Sequence, residues 1–389
     1  MSKSLAAGIE SLEEASEKTR RGLMSRSLAL ELQLWVILLL LMAVGLVMIY
    51  SASAVIAMKK FSDPGYFMKR HFLYFGLGLF VMTVVSCIPY WWYRTWLLVI
   101  MAVSLTSLVA VVMPGVGVEI NNARRWFQIG SLTLQPAEYA KVAWVLYLSV
   151  YLSRKEEKIR FFRSGFLPPM IMCGIFGILI LLESDFGTPF IIGALTVILL
   201  ALGGAPWSYL FSLAVPAVAG FYVFVYQVPY RWERITAFMN PYTDPLDSGY
   251  QLIQAWTAVG SGGLWGKGLG AGQQKLFFLP EPYTDFILAV IGEELGFAGI
   301  LTVMALFVLL FWTGMRIARH APDVMSNFMA VGATLLLSLQ ALINMGVVLG
   351  LFPTKGLPLP FISYGGSAFT ANCAAAGILL NIARNTGRR

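Results

Sequence analysis

The stretch Leu34-Trp35-Val36-Ile37-Leu38-Leu39-Leu40-Leu41-Met42-Ala43-Val44-Gly45-Leu46-Val47-Met48-Ile49-Tyr50 decides the fold class. It carries no charge. A backbone in hydrocarbon must satisfy its own N–H and C=O groups, and a helix of about 20 mostly apolar residues does so. Runs of this kind lie near 33–57, 71–88, 96–113, 136–152, 165–182, 187–204, 207–227, 285–314, 327–352 and 363–383. The expectation is an all-α polytopic membrane protein with about ten spans. Composition agrees: over 389 residues, 58% are hydrophobic and 12% charged, with mean hydropathy +0.73. A soluble domain carries about 25% charged residues. These figures exclude a soluble nucleic-acid binder, a disulfide scaffold and a disordered chain.

The first span is not a cleavable signal, because a long charged leader precedes it. Residues 1–32 form that leader, mixing Glu10, Glu13, Glu14 and Glu17 with Lys18, Arg20, Arg21 and Arg26. It reads as a surface helix or as disorder. Residues 33–383 form the ten-span domain and 384–389 a short basic tail. Lys and Arg mark the cytoplasmic side. Placing both termini inside gathers the leader, Arg154 to Arg163, Arg316, Arg319 and the tail there. Lys59, Lys60, Lys69 and Arg70 in the first outer loop oppose that bias. The net charge of +8 is therefore mostly orientation. Cys87, Cys173 and Cys373 lie in apolar runs and read as packing residues. With only His71 and His320 besides, no His/Cys metal cluster can be assembled.

One outer tract, residues 228–284 between spans seven and eight, is far longer than the rest. Long loops in compact proteins usually serve function. It holds an amphipathic stretch from Tyr250 to Gly260, then Ser261-Gly262-Gly263-Leu264-Trp265-Gly266-Lys267-Gly268-Leu269-Gly270. Short interfacial helices joined by Gly turns are expected. The glycines suit simple turns, or a phosphate cradled on backbone N–H groups.

Charges near the bilayer are costly, at least about 2.5–3.5 kcal/mol at its centre, and so mark candidate sites. Pro280 and Pro282 stop any helix before Thr284-Asp285-Phe286-Ile287, which places Asp285 in the first turn of span eight. There it is a first-turn anion favoured by the helix dipole, or a reactive carboxylate. Glu293 and Glu294 follow on the same helix. Glu138 and Lys141, spaced i,i+3 at the start of span four, can pair. Glu183 and Asp185 join spans five and six. Arg124-Arg125-Trp126 suits a diphosphate, a carboxylate or plain anchoring to lipid headgroups. The last outer loop, Phe352 to Ser367, is a rigid Pro/Gly turn carrying Lys355 and hydroxyls. Together these imply an outward polar pocket for an anionic, lipid-linked substrate. They do not choose between moving that substrate and reacting it.

The motifs resemble those of the SEDS family (shape, elongation, division and sporulation proteins) across about 350 residues. The resemblance rests on Tyr50-Ser51-Ala52-Ser53, Ala123-Arg124-Arg125-Trp126 and Gln135-Pro136-Ala137-Glu138-Tyr139-Ala140-Lys141. It continues in Ser248-Gly249-Tyr250-Gln251-Leu252, Gln274-Lys275, Leu279-Pro280-Glu281, Thr284-Asp285-Phe286-Ile287 and Pro358 to Ser367. Four positions depart from the family's usual wording. Asn122 replaces Gly, and Glu183-Ser184-Asp185-Phe186-Gly187 replaces Gln-Pro-Asp-Leu-Gly. Tyr283 replaces His, and Asp247 replaces Gly.

The resemblance implies a peptidoglycan glycosyltransferase that polymerises lipid II into glycan strands at the outer face of the plasma (inner) membrane. It implies Asp285 as the essential residue. An inverting displacement needs a base for the acceptor 4-hydroxyl, and a carboxylate fits. Cations must face the departing diphosphate, and Arg124, Arg125, Lys267 and Lys275 are the candidates. Trp126, Glu138, Lys141, Glu281, Thr284 and Ser363 complete the candidate substrate-binding set. No cofactor is fixed by the sequence, and a divalent cation (Mg or Mn) is the one candidate.

The expected partners are lipid II, the nascent glycan strand, a class B penicillin-binding protein as transpeptidase and other divisome membrane proteins, with no nucleic acid. The chain has no Ser-x-x-Lys transpeptidase motif of its own. Tyr66 to Arg70, Gln273 to Lys275 and Pro353 to Leu357 look most like the division branch, which places the protein at the septum. The alternatives are an elongation or sporulation member of the same activity, or a lipid II flippase. The outward placement of the charges favours the enzyme.

Overall fold

The computed structural model describes residues 2–120, 123–130, 132–247 and 249–386. Asn121 and Asn122 of the arginine loop, Ser248 of the Ser-Gly-Tyr-Gln motif, and Arg388 and Arg389 of the tail lie outside them. The chain is mostly helical. Helices α1 (Ser2–Phe61), α2 (Tyr66–Cys87) and α3 (Trp92–Val112) are followed by three strands, then α4 (Pro136–Arg154), α5 (Leu167–Leu182) and α6 (Gly187–Leu202). The leader continues into the first span as one helix, with no break at residue 32.

The seventh apolar run is broken into α7 (Trp207–Ser212) and α8 (Ala214–Phe221), then the wide π-turn Tyr222–Tyr226. Pro216 lies just past the break. It has no N–H to offer the preceding turn, which accounts for the interruption. Short helices α9 (Pro229–Met239) and α10 (Tyr250–Gly262) occupy the large loop, as the composition suggested. The chain ends with α11 (Ile287–Arg319), α12 (Val324–Val348) and α13 (Gly366–Asn385).

Helices stand at all ten expected positions. Among the described residues, eight are long and apolar enough to cross a membrane. The other two are α4, which carries Glu138 and Lys141, and α6, which has 16 residues.

The bundle is graded in burial. Of the most apolar stretch of α13, 89% is buried among other helices, and of α12, 78%. The segment Trp207–Tyr226 buries only 6% and faces outward almost entirely. The core is therefore α12 and α13, wrapped by α1, α2, α4 and α11. Hydrophobic surface on the outer helices is what lipid solvates, so its exposure here costs nothing.

A feature absent from the all-α expectation is a small antiparallel sheet: β1 (Val118–Ile120), β2 (Ala123–Ile129) and β3 (Leu132–Leu134), in that order. Glu119 pairs with Arg124 across β1 and β2, and Phe127 with Leu134 across β2 and β3. Three residues per outer strand are too few to show an alternation pattern, which is why the sequence hid it. The sheet is pinned to the bundle. Thr133 N–H donates to Tyr74 Oη of α2 (2.9 Å), and Ser367 Oγ of α13 donates to the Thr133 carbonyl (3.0 Å). Ser367 Oγ also accepts from Gln135 N–H (2.8 Å).

Candidate active site at one end of the bundle

The end of α5, the starts of α6, α11 and α13, and the loop after α12 meet at one end of the bundle, beside the sheet. Asp285 sits here. It does not lie in the first turn of a helix, because α11 starts only at Ile287 and Thr284-Asp285-Phe286 forms a turn before it. Asp285 is therefore not a first-turn anion of α11. The backbone around Asp285 is clamped from two sides. Asn344 of α12 donates its Nδ2 to the Asp285 carbonyl (2.8 Å) and to the Leu357 carbonyl (2.7 Å). Ser363 Oγ donates to the Thr284 carbonyl (2.6 Å) and accepts from Leu359 N–H (2.9 Å). Tyr364 N–H donates to the Tyr283 carbonyl (2.9 Å).

The carboxylate is half-buried, and its Oδ2 lies against Gly356, 3.0 Å from where a Cβ at that position would stand. Burial, with the negative charges of Glu281 and Asp185, pushes its pKa up to about 7, against the opposing pull of Arg234 and Arg125. A carboxyl poised there is suited to take a proton near neutral pH.

Around it stand groups of both signs. Asp185 is buried, and its carboxylate accepts from Gly187 N–H (2.9 Å), Thr188 N–H (3.2 Å) and Thr188 Oγ1 (2.8 Å), closing the first turn of α6. Lys355 Nζ lies 4.3 Å from the Phe190 ring centroid, and its pKa is lowered by burial. The Arg231 guanidinium lies 3.7 Å from the Phe186 ring centroid. Arg125 of β2 reaches across to the α5–α6 turn, donating Nε to the Glu183 carbonyl (2.8 Å) and Nη2 to the Ser184 carbonyl (2.7 Å). Ser184 is at φ +64°, and the clamp holds that turn in shape.

The other expected residues separate. Arg124 pairs with Glu119 (3.1 Å) on the exposed side of the sheet. Trp126 is half-buried beside Arg125, whose guanidinium lies 5.9 Å from its ring centroid. Glu138 and Lys141 form the expected pair (2.9 Å), but fully buried within α4. Ser363 and Thr284 are brought to Asp285, Ser363 as backbone clamp and Thr284 with its hydroxyl on the Glu281 carbonyl (3.0 Å).

Lys267 and Lys275, expected to face a diphosphate, instead meet the chain's own carboxylates. Lys267 pairs with Glu293 (2.8 Å), and Lys275 with Glu294. The backbone N–H groups of Gln273 (2.8 Å) and Gln274 (3.0 Å) donate to the Glu293 carboxylate, and Gly270 N–H (3.0 Å) donates to that of Glu294. The glycine-rich segment is thus an anion cradle whose anions are Glu293 and Glu294. It docks where α11 breaks at Gly296, with φ +69°. Only glycine at 266, with φ +80°, allows the approach, since a Cβ there would stand 2.1 Å from the Glu294 carbonyl oxygen.

Arg234, Asn344 and Gly356 were missed as site residues, Asp185 was noted only as a charge joining two spans, and Lys355 only as part of its loop. Asn344 had a visible signal, an amide in an apolar helix, though Asn327 and Gln340 of the same helix share it.

The fold and site define a polytopic helical membrane protein with a polarised carboxylate site at one end. Residues 31–388 match the family described as "Cell cycle protein", that of FtsW, RodA and SpoVE. The chain belongs to this family, the SEDS proteins. It is 43% identical over 354 residues to stage V sporulation protein E of Bacillus subtilis, covering 91% of this chain and 97% of that one. It is likewise 43% identical over 357 residues to the probable peptidoglycan glycosyltransferase FtsW of Geobacter metallireducens, covering 90% and 95%.

Among solved structures it resembles a chain described under "Structural coordination of polymerization and crosslinking by a peptidoglycan synthase complex" (TM-score 0.74, 27% identity, 91% and 97% covered). It also resembles the rod shape determining protein RodA of Thermus thermophilus (TM-score 0.65, 25% identity, 91% and 96% covered).

Proposed function

We propose that this chain is a peptidoglycan glycosyltransferase that polymerises lipid II at the outer face of the bacterial plasma membrane, in septal wall synthesis. The activity is the one named for FtsW relatives. Ten spans, both termini in the cytoplasm and the site end outside complete this reading. It gives α4 and α6 the role of short spans shielded by neighbours. The observation that carries the reading is the Asp285 carboxyl, held by Asn344 and Ser363 through its backbone and raised to about 7.

In the reaction, Asp285 takes the proton of the acceptor 4-hydroxyl as that oxygen attacks the donor's anomeric carbon from the face opposite the diphosphate. The bond from C1 to the diphosphate oxygen breaks, its electron pair leaves with the undecaprenyl diphosphate, and the configuration inverts. Charge gathers on the leaving group, and Arg234, whose charge acts on Asp285, and Lys355, next to Gly356, are the cations proposed to face it. Arg125 contributes its charge while holding the α5–α6 turn. Arg124, Glu138, Lys141, Lys267 and Lys275 take structural roles in this account.

Among the described residues, no three His, Cys, Asp or Glu side chains are arranged to hold a metal ion. A divalent cation, Mg or Mn, stays a candidate that the lipid diphosphate itself would help to hold, and no step is routed through it. The partner is a class B penicillin-binding transpeptidase, supported by the likeness to a chain of a synthase complex that couples polymerization with crosslinking.

Purified protein with lipid II, with and without that transpeptidase, tests the reading. Glycan polymer on a gel is the expected result. Lipid II translocation in liposomes with no polymer under either condition would replace the enzyme with a flippase.

A further inference from the structure

The α5–α6 turn holds a group that the reaction above does not use. Glu183 is 1% exposed, and neither carboxyl oxygen has a hydrogen-bond partner. A buried carboxylate left without partners is strongly unfavourable, and such an orphan in a native fold calls for a ligand or a proton. Its neighbours are informative. Asp185 and Arg125 both act electrostatically on Glu183, and the same two act on Asp285. Gly187 of the same turn packs against Leu357, the residue after the Gly356 against which the Asp285 carboxylate lies, so Glu183 and Asp285 belong to one site. Asp185 acts electrostatically on Lys355 as well.

Arg125 spends two donors on the carbonyls of Glu183 and Ser184, so it fixes the turn's backbone without partnering the Glu183 side chain. Burial, with the charge of Asp185, pushes the Glu183 carboxyl up to about 9. At neutral pH the side chain is then a neutral O–H donor.

Resting on the glycosyltransferase reading, we infer that Glu183 is a substrate-binding residue that donates a hydrogen bond from its protonated carboxyl to a phosphoryl oxygen of the lipid diphosphate. A neutral acid can approach an anionic oxygen, whereas a carboxylate would repel it. The O–H donates, the phosphoryl oxygen accepts, and no proton is transferred.

The test measures binding of undecaprenyl diphosphate to the purified full-length protein in nanodiscs, from pH 7 to 10, for wild type, Glu183→Gln and Glu183→Leu. Undecaprenyl monophosphate and a neutral polyprenol serve as comparison ligands. Thermal melting confirms that each variant is folded. The glutamine variant should bind within about twofold of wild type at pH 7 and stay level to pH 10 relative to common effects of other groups. Wild-type binding should fall beyond that variant's by up to about tenfold per pH unit above 9, as one proton is lost. The leucine variant should bind at least about tenfold more weakly at pH 7, the size of one charge-assisted hydrogen bond, with the polyprenol unaffected.

Wild-type and glutamine curves that coincide to pH 10, or a folded leucine variant that binds as wild type does, would overturn the inference. An equal loss toward diphosphate and polyprenol would also overturn it, because it would show only packing. Binding is read without turnover. A protein that binds the diphosphate in this pattern but makes no polymer from lipid II would sink the enzyme reading and leave this one standing.

Discussion

Replacing Lys275 by methionine separates two accounts of the glycine-rich loop. In the structure the Lys275 side chain is 4% exposed and its Glu294 partner fully buried. Lys275 Nζ also donates to Ser51 Oγ of α1 (3.0 Å), and Ser51 Oγ donates to Glu294 in turn. Removing the ammonium leaves Glu294 with only Ser51 and Gly270 N–H, a buried charge short of its counter-ion. Breaking a buried pair from one side costs about 3–5 kcal/mol, whereas replacing both partners by neutral groups of similar size is often close to neutral.

Lys275→Met should therefore lower stability by about 3–5 kcal/mol, and Glu294→Gln by a comparable amount. The double variant should recover at least about half of the summed loss. Tryptophan-fluorescence unfolding in one detergent, run as a double-mutant cycle, reads the coupling directly. Additive losses would refute the pairing. A Lys275→Met protein of wild-type stability that binds undecaprenyl diphosphate poorly would return the lysine to the diphosphate role expected from sequence.

Other outcomes follow from the same geometry. Asn344→Leu orphans the carbonyls of Asp285 and Leu357 at about 1–3 kcal/mol each, so it should lower both melting temperature and polymerisation rate. Unchanged turnover would show that the clamp does not position Asp285. The Asp285 pKa is raised above its ordinary value of 3.8 to about 7. Its contribution to stability is accordingly full below about 4 and declines as pH rises to about 7, while polymerisation, which needs the ionised form, should fall below about 7. Glu281→Gln removes a negative neighbour and should shift that acid limb to lower pH, and Arg234→Gln should shift it higher. A pH–rate profile for the three proteins checks the sign, and limbs that do not move would detach these charges from the base.

How much of this was legible in the sequence differs by element. Continuous apolar runs give long helices wherever lipid is the solvent, so the order of the helices was readable from residues 33–57 onward. The three-stranded sheet was not, because its outer strands have three residues each and half its meaning lies in contacts with Tyr74 and Ser367 far along the chain. Asp285 stood out through its position after Pro280 and Pro282, and Glu138 with Lys141 through helical spacing.

The carboxylate partners of the lysines were hidden for a physical reason. Sequence counts a cation as available, but Glu293 and Glu294 reach Lys267 and Lys275 only because α11 breaks at Gly296 and lets the loop in. Asp185 was visible as a charge between two spans, whereas Arg234 joins the site by tertiary proximity alone, which no local pattern carries.

The claim at the centre of this account is that the Asp285 carboxylate is the base. Single-turnover polymerisation of lipid II by wild type and Asp285→Asn, purified with matching melting curves, addresses it most directly. Removing a general base typically costs about 10²–10⁴-fold in rate, so the asparagine protein should bind lipid II and yield polymer slower by at least about a hundredfold. A folded Asp285→Asn protein that polymerises at close to the wild-type rate would contradict the assignment.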